Sequence, residues 1–218
     1  MSQREATAAD ARPPSGRAGT RGMPRSQREQ SILAVAGQVF AHSGYEGASM
    51  DRIATLAGVS KPMLYAYFGS KEGLYVAYVD RTGGELVQRL VGVEASEPRA
   101  RLRAVISEFL AFVEEHRDGW TVLYHELNNR RPLAEQVAQL RSRIVTEVQG
   151  MLTGAGAGTG RSGLAGPASE GVAVAIVGAG ESLANWWLTR SDVAREDVVD
   201  WYVRLTRAAI SAATRRDP

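Results

Sequence analysis

The sequence predicts an all-α protein, and three observations carry that expectation. Apolar residues recur every three or four positions from about Ser26 onward. No segment alternates apolar and polar residues as a half-buried strand does. Short apolar stretches are bracketed by Ser at one end and Gly at the other, the residue types that start and stop helices. The 218 residues suffice for one sizeable domain or two small ones, and a hydrophobic share of 44% permits a buried core.

Residues 1–24 mix Arg, Ala, Gly, Ser, Thr and Pro without apolar periodicity, so burial cannot offset the entropy of ordering them. They read as a disordered arm, made basic by Arg4, Arg12, Arg17 and Arg21, with Arg25 beside it. A first helix follows, with Ile32, Val35, Ala36, Val39 and Phe40 on one face and Gly44 where a left-handed C-cap belongs. Ser49 offers an N-cap to a short helix carrying Met50, Ile53, Ala54 and Ala57, which stops at Gly58. Ser60 can cap the next, with Met63, Leu64, Tyr67 and Phe68. Ser70 starts a fourth helix through Leu74, Val76 and Val79, whose middle the Gly83-Gly84 pair is expected to bend.

Beyond Pro98 the pattern stays helical. Leu102, Val105, Ile106, Phe109, Leu110 and Val113 form one stripe, and Trp120, Leu123, Tyr124 and Leu127 a shorter one. A third runs from Leu133 through Ile144 to Leu152 and ends at the Gly-rich stretch Gly154 to Gly166. Two long helices close the chain, near Ala168 to Arg190 and Arg195 to Thr214.

Several function classes are excluded by composition. Without cysteine there are no disulfides, thiolate metal sites or cysteine nucleophiles, which fits a cytoplasmic protein. No apolar stretch approaches the roughly 20 residues of a membrane span, and the N-terminus has no signal-peptide core, so no membrane partner is expected. The run Gly-Ala-Gly-Ala-Gly-Thr-Gly at 154–160 lacks the Gly-Lys-Ser/Thr of a phosphate loop and follows no strand. His42, His116 and His125 show no zinc-protease spacing, and no nucleophile elbow is present, so no enzyme, metal or cofactor is expected.

Two short helices joined by Ala57-Gly58-Val59-Ser60 have the form of a helix-turn-helix, with Gly making the sharp turn and Val filling the angle. The colinear run Ser49-Met50-x-x-Ile53-Ala54-x-x-Ala57-Gly58-Val59-Ser60-Lys61-x-x-x-Tyr65-x-Tyr67-Phe68-x-Ser70-Lys71-Glu72-x-Leu74 resembles the N-terminal domain of TetR-family transcriptional regulators. The resemblance covers Ser26 to roughly Tyr78. It implies a helix-turn-helix DNA-binding domain over 25–72, a helical ligand-binding and dimerisation domain over 73–218, and operator DNA as a partner.

The second helix of such a motif enters the major groove, while neighbouring helix starts hold phosphates. Lys61 can donate to guanine O6 or N7, and Pro62 or Met63 can pack on a thymine methyl. The resemblance sets Tyr65 and Tyr67 near DNA, although Tyr67, like Phe68, suits the core equally. Ser49 and Lys71 stand at helix starts where dipole and free amides favour a phosphate; for Ser49, Ser60 and Ser70 plain capping is the alternative, compatible with that contact. Arg28, Arg52, Lys61 and Lys71 are balanced by Glu29, Glu46, Asp51 and Glu72, so affinity rests on a few placed contacts from two subunits. The arm either follows the DNA or is a solvated leader.

For the remainder the resemblance implies architecture only: the last two helices pair with their copies in a homodimer, using residues such as Val174, Trp187, Trp201 and Leu205. The middle helices then enclose a pocket for a small-molecule ligand, for which Phe109, Phe112, Trp120, Tyr124, His125, Asn185 and Trp186 are the candidates. Core packing or the dimer interface competes with that role at each aromatic. The expected function is a repressor released from its operator by ligand, with a ligand-independent dimeric DNA-binding protein as the alternative.

Overall fold

A computed structural model describes residues 23–95, 97–128, 134–154, 164 and 166–214, with side chains for these other than 98, 125–128, 134–137 and 154. Positions 1–22 of the expected arm, and most of the Gly-rich stretch from 154, lie outside the described residues. Among the described residues there are nine helices and no strand: α1 Arg25–Gly47, α2 Met50–Ala57, α3 Lys61–Phe68, α4 Lys71–Val91, α5 Pro98–Glu115, α6 Arg117–Asn128, α7 Ala134–Gly154, α8 Pro167–Leu188 and α9 Arg195–Thr214. None of them is long and apolar enough to cross a membrane.

Local chemistry sets the boundaries of the first four. Gly44, at φ 66°, breaks the regular winding of α1 three residues before its end. Gly58 takes the left-handed conformation, φ 65° and ψ 30°, so that its own amide reaches the Thr55 carbonyl and the Val59 amide reaches that of Ala54. That Schellman closure satisfies carbonyls the end of α2 would leave unpaired, and it turns the chain sharply into α3. The Ser60 hydroxyl accepts from the Met63 amide at 3.3 Å, and the Ser70 hydroxyl accepts from the Gly73 amide at 2.9 Å. Ser49 occupies the N-cap of α2, but its side chain makes no capping hydrogen bond.

Two apolar cores result. The first gathers Ile32, Ala36 and Phe40 of α1, Ile53 and Ala57 of α2, Leu64 of α3 and Leu74, Tyr75 and Tyr78 of α4, with Val122 and Leu123 of α6 closing it. Tyr75 is its hub, edge-on to Phe40 at 4.8 Å and to Tyr45 at 5.1 Å, the geometry aromatic quadrupoles favour. The second gathers Ile106, Leu110 and Val113 of α5, Trp120 of α6, Ile176, Ala184 and Trp187 of α8 and Val198, Val199 and Tyr202 of α9.

Gly83 and Gly84 do not interrupt α4, which runs from Lys71 to Val91. Gly83 is buried where a β-carbon would collide with the Leu140 side chain of α7, so its role is to let α7 approach. Removing side-chain bulk, rather than loosening the backbone, explains its presence.

Gly58→Ala forces a β-carbon into the left-handed region. The substitution should destabilise the protein by about 1–2 kcal/mol in urea unfolding, without a change in the slope of the transition.

Candidate nucleic-acid interface and interior cavity

The eight residues of α3 divide by helical register. Leu64 is completely buried, and Tyr67 and Phe68 pack half-buried against the first core. Lys61, Pro62, Tyr65 and Ala66 are exposed and Met63 is half-exposed, so one face of the second helix of the helix-turn-helix is presented to solvent. Pro62 lies in the first turn, where its missing amide costs nothing. Lys61 is not free on this face: its Nζ lies 2.9 Å from an Asp51 carboxylate oxygen of α2, and that bond raises the Lys61 pKa. Both groups are exposed, so the pair is weak and can be exchanged for a phosphate or a base edge.

Tyr67 faces α1 instead. Its hydroxyl accepts from Arg28 Nη1 at 3.3 Å, and the Arg25 guanidinium lies over its ring at 5.2 Å. The phenol thus holds two basic residues of α1 beside α3.

Lys71, expected at a phosphate, has protein partners in the free chain. Its Nζ donates to the carbonyls of Tyr45 at 2.8 Å, Glu46 at 3.2 Å and Ala48 at 3.3 Å, and sits 4.5 Å from the Tyr45 ring centre. An ammonium has three protons, and these carbonyls take them. Lys71 therefore caps the end of α1 and pins the start of α4 to it. Ser49 is exposed at the N-cap of α2 with its hydroxyl uncommitted to the cap, which keeps it available to a phosphate.

A cavity of about 120 Å³ lies among α4 to α9. Its wall is almost wholly apolar, including Leu86, Leu90, Leu102, Val105, Ile106, Phe109, Trp120, Ile144, Val148, Met151 and Ile176. The charged residues of the wall are Arg141 of α7 and Glu181 of α8, and they are paired, with Arg141 Nε 2.9 and 3.2 Å from the two carboxylate oxygens. Burial pushes the Glu181 carboxyl upward, against the pull of Arg141. The Tyr202 hydroxyl at the wall donates to the Ile176 carbonyl at 2.6 Å, and its pKa is raised, first by burial and then by the Glu181 charge.

Residues 32–78 match the family described as bacterial regulatory proteins of the tetR family, and residues 98–209 match the tetracyclin repressor-like C-terminal domain. The chain belongs to the TetR family of transcriptional regulators. It is 29% identical over 203 residues to the HTH-type transcriptional activator FasR of Mycolicibacterium smegmatis, an alignment that spans 92% of this chain and 90% of FasR. A TetR-like transcriptional regulator from Rhodococcus sp. RHA1 has a crystal structure that superposes with a TM-score of 0.72 at 33% identity, over 87% of this chain and 98% of that one. The fold is also that of Bacillus subtilis FadR crystallised with stearoyl-CoA, with a TM-score of 0.68 at 20% identity over 85% of this chain and 97% of FadR. TetR-family regulators are DNA-binding proteins, not enzymes.

Within this TetR-type architecture the sequence-derived ligand candidates separate. Phe109 and Trp120 line the cavity, but Phe112, Tyr124, Asn185 and Trp186 do not, and the side chain of His125 lies outside the described residues. Phe112 is fully buried elsewhere, stacked on His116 at 4.4 Å with the Arg89 guanidinium 5.6 Å away on its ring. Tyr124 packs behind Trp120 at 6.2 Å, and Asn185 is half-buried beyond the part of α8 that meets the cavity. Trp186 is 38% exposed, 6.4 Å from the ring of Trp201 on α9. The Arg141–Glu181 pair escaped sequence reasoning although a signal existed: each is a charge on an otherwise apolar helix stripe.

Lys71→Met retains the stem and removes the three bonds to the end of α1. It should cost about 2 kcal/mol in chemical unfolding, whereas a lysine serving only DNA would leave stability unchanged.

Proposed function

We propose that the protein is a homodimeric repressor that binds operator DNA through α3 and is released when an apolar small molecule enters the cavity among α4 to α9. The cavity carries this reading: a well-packed domain leaves few voids larger than a water, and this one adjoins the helix that also builds the DNA-binding core. In this reading residues 1–24 form an arm, 25–72 the DNA-binding unit and 73–218 the sensing and dimerising unit, working in the cytoplasm. Lys61, Pro62, Met63 and Tyr65 meet base edges, and Ser49 meets a phosphate.

Dimerisation through α8 and α9 is supported by what they expose. Val174, Trp186, Trp201 and Leu205 are 38–54% exposed, large apolar side chains without cover in the single chain. Pairing them with their copies would set two α3 helices about 34–36 Å apart, one turn of DNA. FadR, which shares this fold, was crystallised with stearoyl-CoA, a ligand whose long acyl chain is apolar. The similarity to FasR favours a second reading of the output, in which the same dimer activates transcription.

Mapping genomic binding sites in the native host and measuring transcription of the flanking genes with and without the regulator tests both readings. Lower transcription in the absence of the protein would replace repression by activation. Lys61→Ala should cost about 1–3 kcal/mol of operator affinity per subunit and weaken the preference for operator over random DNA, read by titration of both DNAs at one salt concentration. An unaltered preference would remove Lys61 from base reading. Leu205→Glu should shift sedimentation from dimer to monomer and lower operator affinity at least tenfold, with the helical circular-dichroism signal intact.

A further inference from the structure

Tyr67 lies off the exposed face of α3, and its partners are two arginines of α1. Its hydroxyl accepts from Arg28 Nη1 at 3.3 Å, and Arg28 Nη2 donates to the Met23 carbonyl at 2.9 Å, two residues before α1 begins. The Arg28 guanidinium is therefore a strut between α3 and the start of α1. Arg25, one turn earlier on α1, is exposed, and its guanidinium lies over the Tyr67 ring at 5.2 Å. Unlike Lys61, Arg25 has no carboxylate partner among the described residues. Both arginines precede residue 32, where the match to the family's DNA-binding domain begins, so they stand outside the shared motif.

A helix with its side chains is about 10–12 Å across and the major groove about 12 Å wide, so a helix lying there fills it. A cation carried at the side of that helix then stands over the phosphates at the edge of the groove, not over the bases. The manner of holding matters as well. A ring face attracts a guanidinium without occupying it as a carboxylate would, and a guanidinium pairs strongly with a phosphate.

We propose, resting on the reading of α3 as the helix that enters the groove, that Arg25 contacts a DNA phosphate and that Tyr67 is a positioning residue whose ring holds Arg25 there. The phenol itself meets no phosphate. The Arg28 strut fixes the start of α1 against α3 and so sets where Arg25 stands. This contact contributes affinity and salt dependence, and it does not choose the operator.

The test is a set of anisotropy titrations of the full-length protein with labelled duplex DNA of random sequence, at salt concentrations from about 50 to 200 mM. Arg25→Gln should lower the slope of log affinity against log salt by about 0.9 per subunit, or about 1.8 for a dimer. Arg101→Gln, which removes an exposed charge of α5, should leave the slope unchanged. Tyr67→Phe keeps the ring under Arg25 and should bind within about twofold of the wild type, whereas Tyr67→Leu should weaken binding about fivefold to tenfold and lower the slope as Arg25→Gln does. In the Arg25→Gln background Tyr67→Leu should add less than about twofold. The inference is overturned if Arg25→Gln leaves the slope unaltered, if Arg101→Gln lowers it equally, or if Tyr67→Phe costs as much as Tyr67→Leu, the result a phenol bonded to phosphate would give. A lower melting temperature for Tyr67→Leu with an unaltered slope would make the tyrosine structural only, and overturn it too. The reading of α3 fails separately, by full operator preference in Lys61→Ala, because the Arg25 slope reports a backbone contact whatever reads the bases.

Discussion

The shared burial of α4 is the constraint on which the rest of the molecule depends. Its first half supplies Leu74, Tyr75, Tyr78 and Val79 to the core beneath the helix-turn-helix, and its second half supplies Leu86 to the wall of the cavity. A helix packed at both ends cannot adjust at one without moving at the other, because close-packed interiors transmit displacement instead of absorbing it. Arg89, near its end, reaches Glu115 at 2.8 Å, Glu108 at 3.4 Å and Glu85 at 3.6 Å. These are partly solvated pairs, each worth at most about 1 kcal/mol, whereas one fully buried Leu or Val contributes about 1.5–3 kcal/mol. Burial therefore fixes where α4 lies, and the ion pairs adjust its last turns.

Much of the DNA-binding unit was legible in the sequence because its determinants are local. Gly58 needs a left-handed backbone, and Ser60 and Ser70 cap helices that begin at the very next residue, so each boundary follows from one side chain and its near neighbours. Lys71 shows where that legibility ends. A lysine at a helix start fits a phosphate as well as it fits three carbonyls, and the choice depends on the end of α1, more than twenty residues earlier in the chain. Gly83 is a similar case: the sequence shows a residue poor at sustaining a helix, while the reason for it lies on α7.

The cavity was the least legible feature, for a geometrical reason. An apolar stripe tells which side of a helix is buried but not whether the stripes that face each other meet. Phe109 and Phe112 lie on the same helix less than one turn apart, yet the first borders the cavity and the second stacks on His116. Trp186 and Trp187 are adjacent and differ more: the indole N–H of Trp187 is bonded to the Val193 carbonyl at 2.9 Å inside the core, while Trp186 faces outward. Periodicity separates such positions by angle, about 100° between neighbours, but it does not say which neighbouring helix each face meets.

The near-balance of charge in the DNA-binding unit bears on how such a protein responds to a ligand. In the free protein Lys61 is paired to Asp51 and Lys71 is held by carbonyls at the end of α1, while Arg25 and Arg28 stand beside α3 on Tyr67. In the proposed dimer, operator affinity depends on two α3 faces meeting successive grooves together, and a tilt transmitted along α4 alters it. Coupling energies between distant sites are typically about 1–3 kcal/mol, and they act equally in both directions. The sign of the response does not reside in the cavity. In the proposed mechanism it depends on whether the packing of α4 that favours the filled cavity also favours the spacing the operator requires.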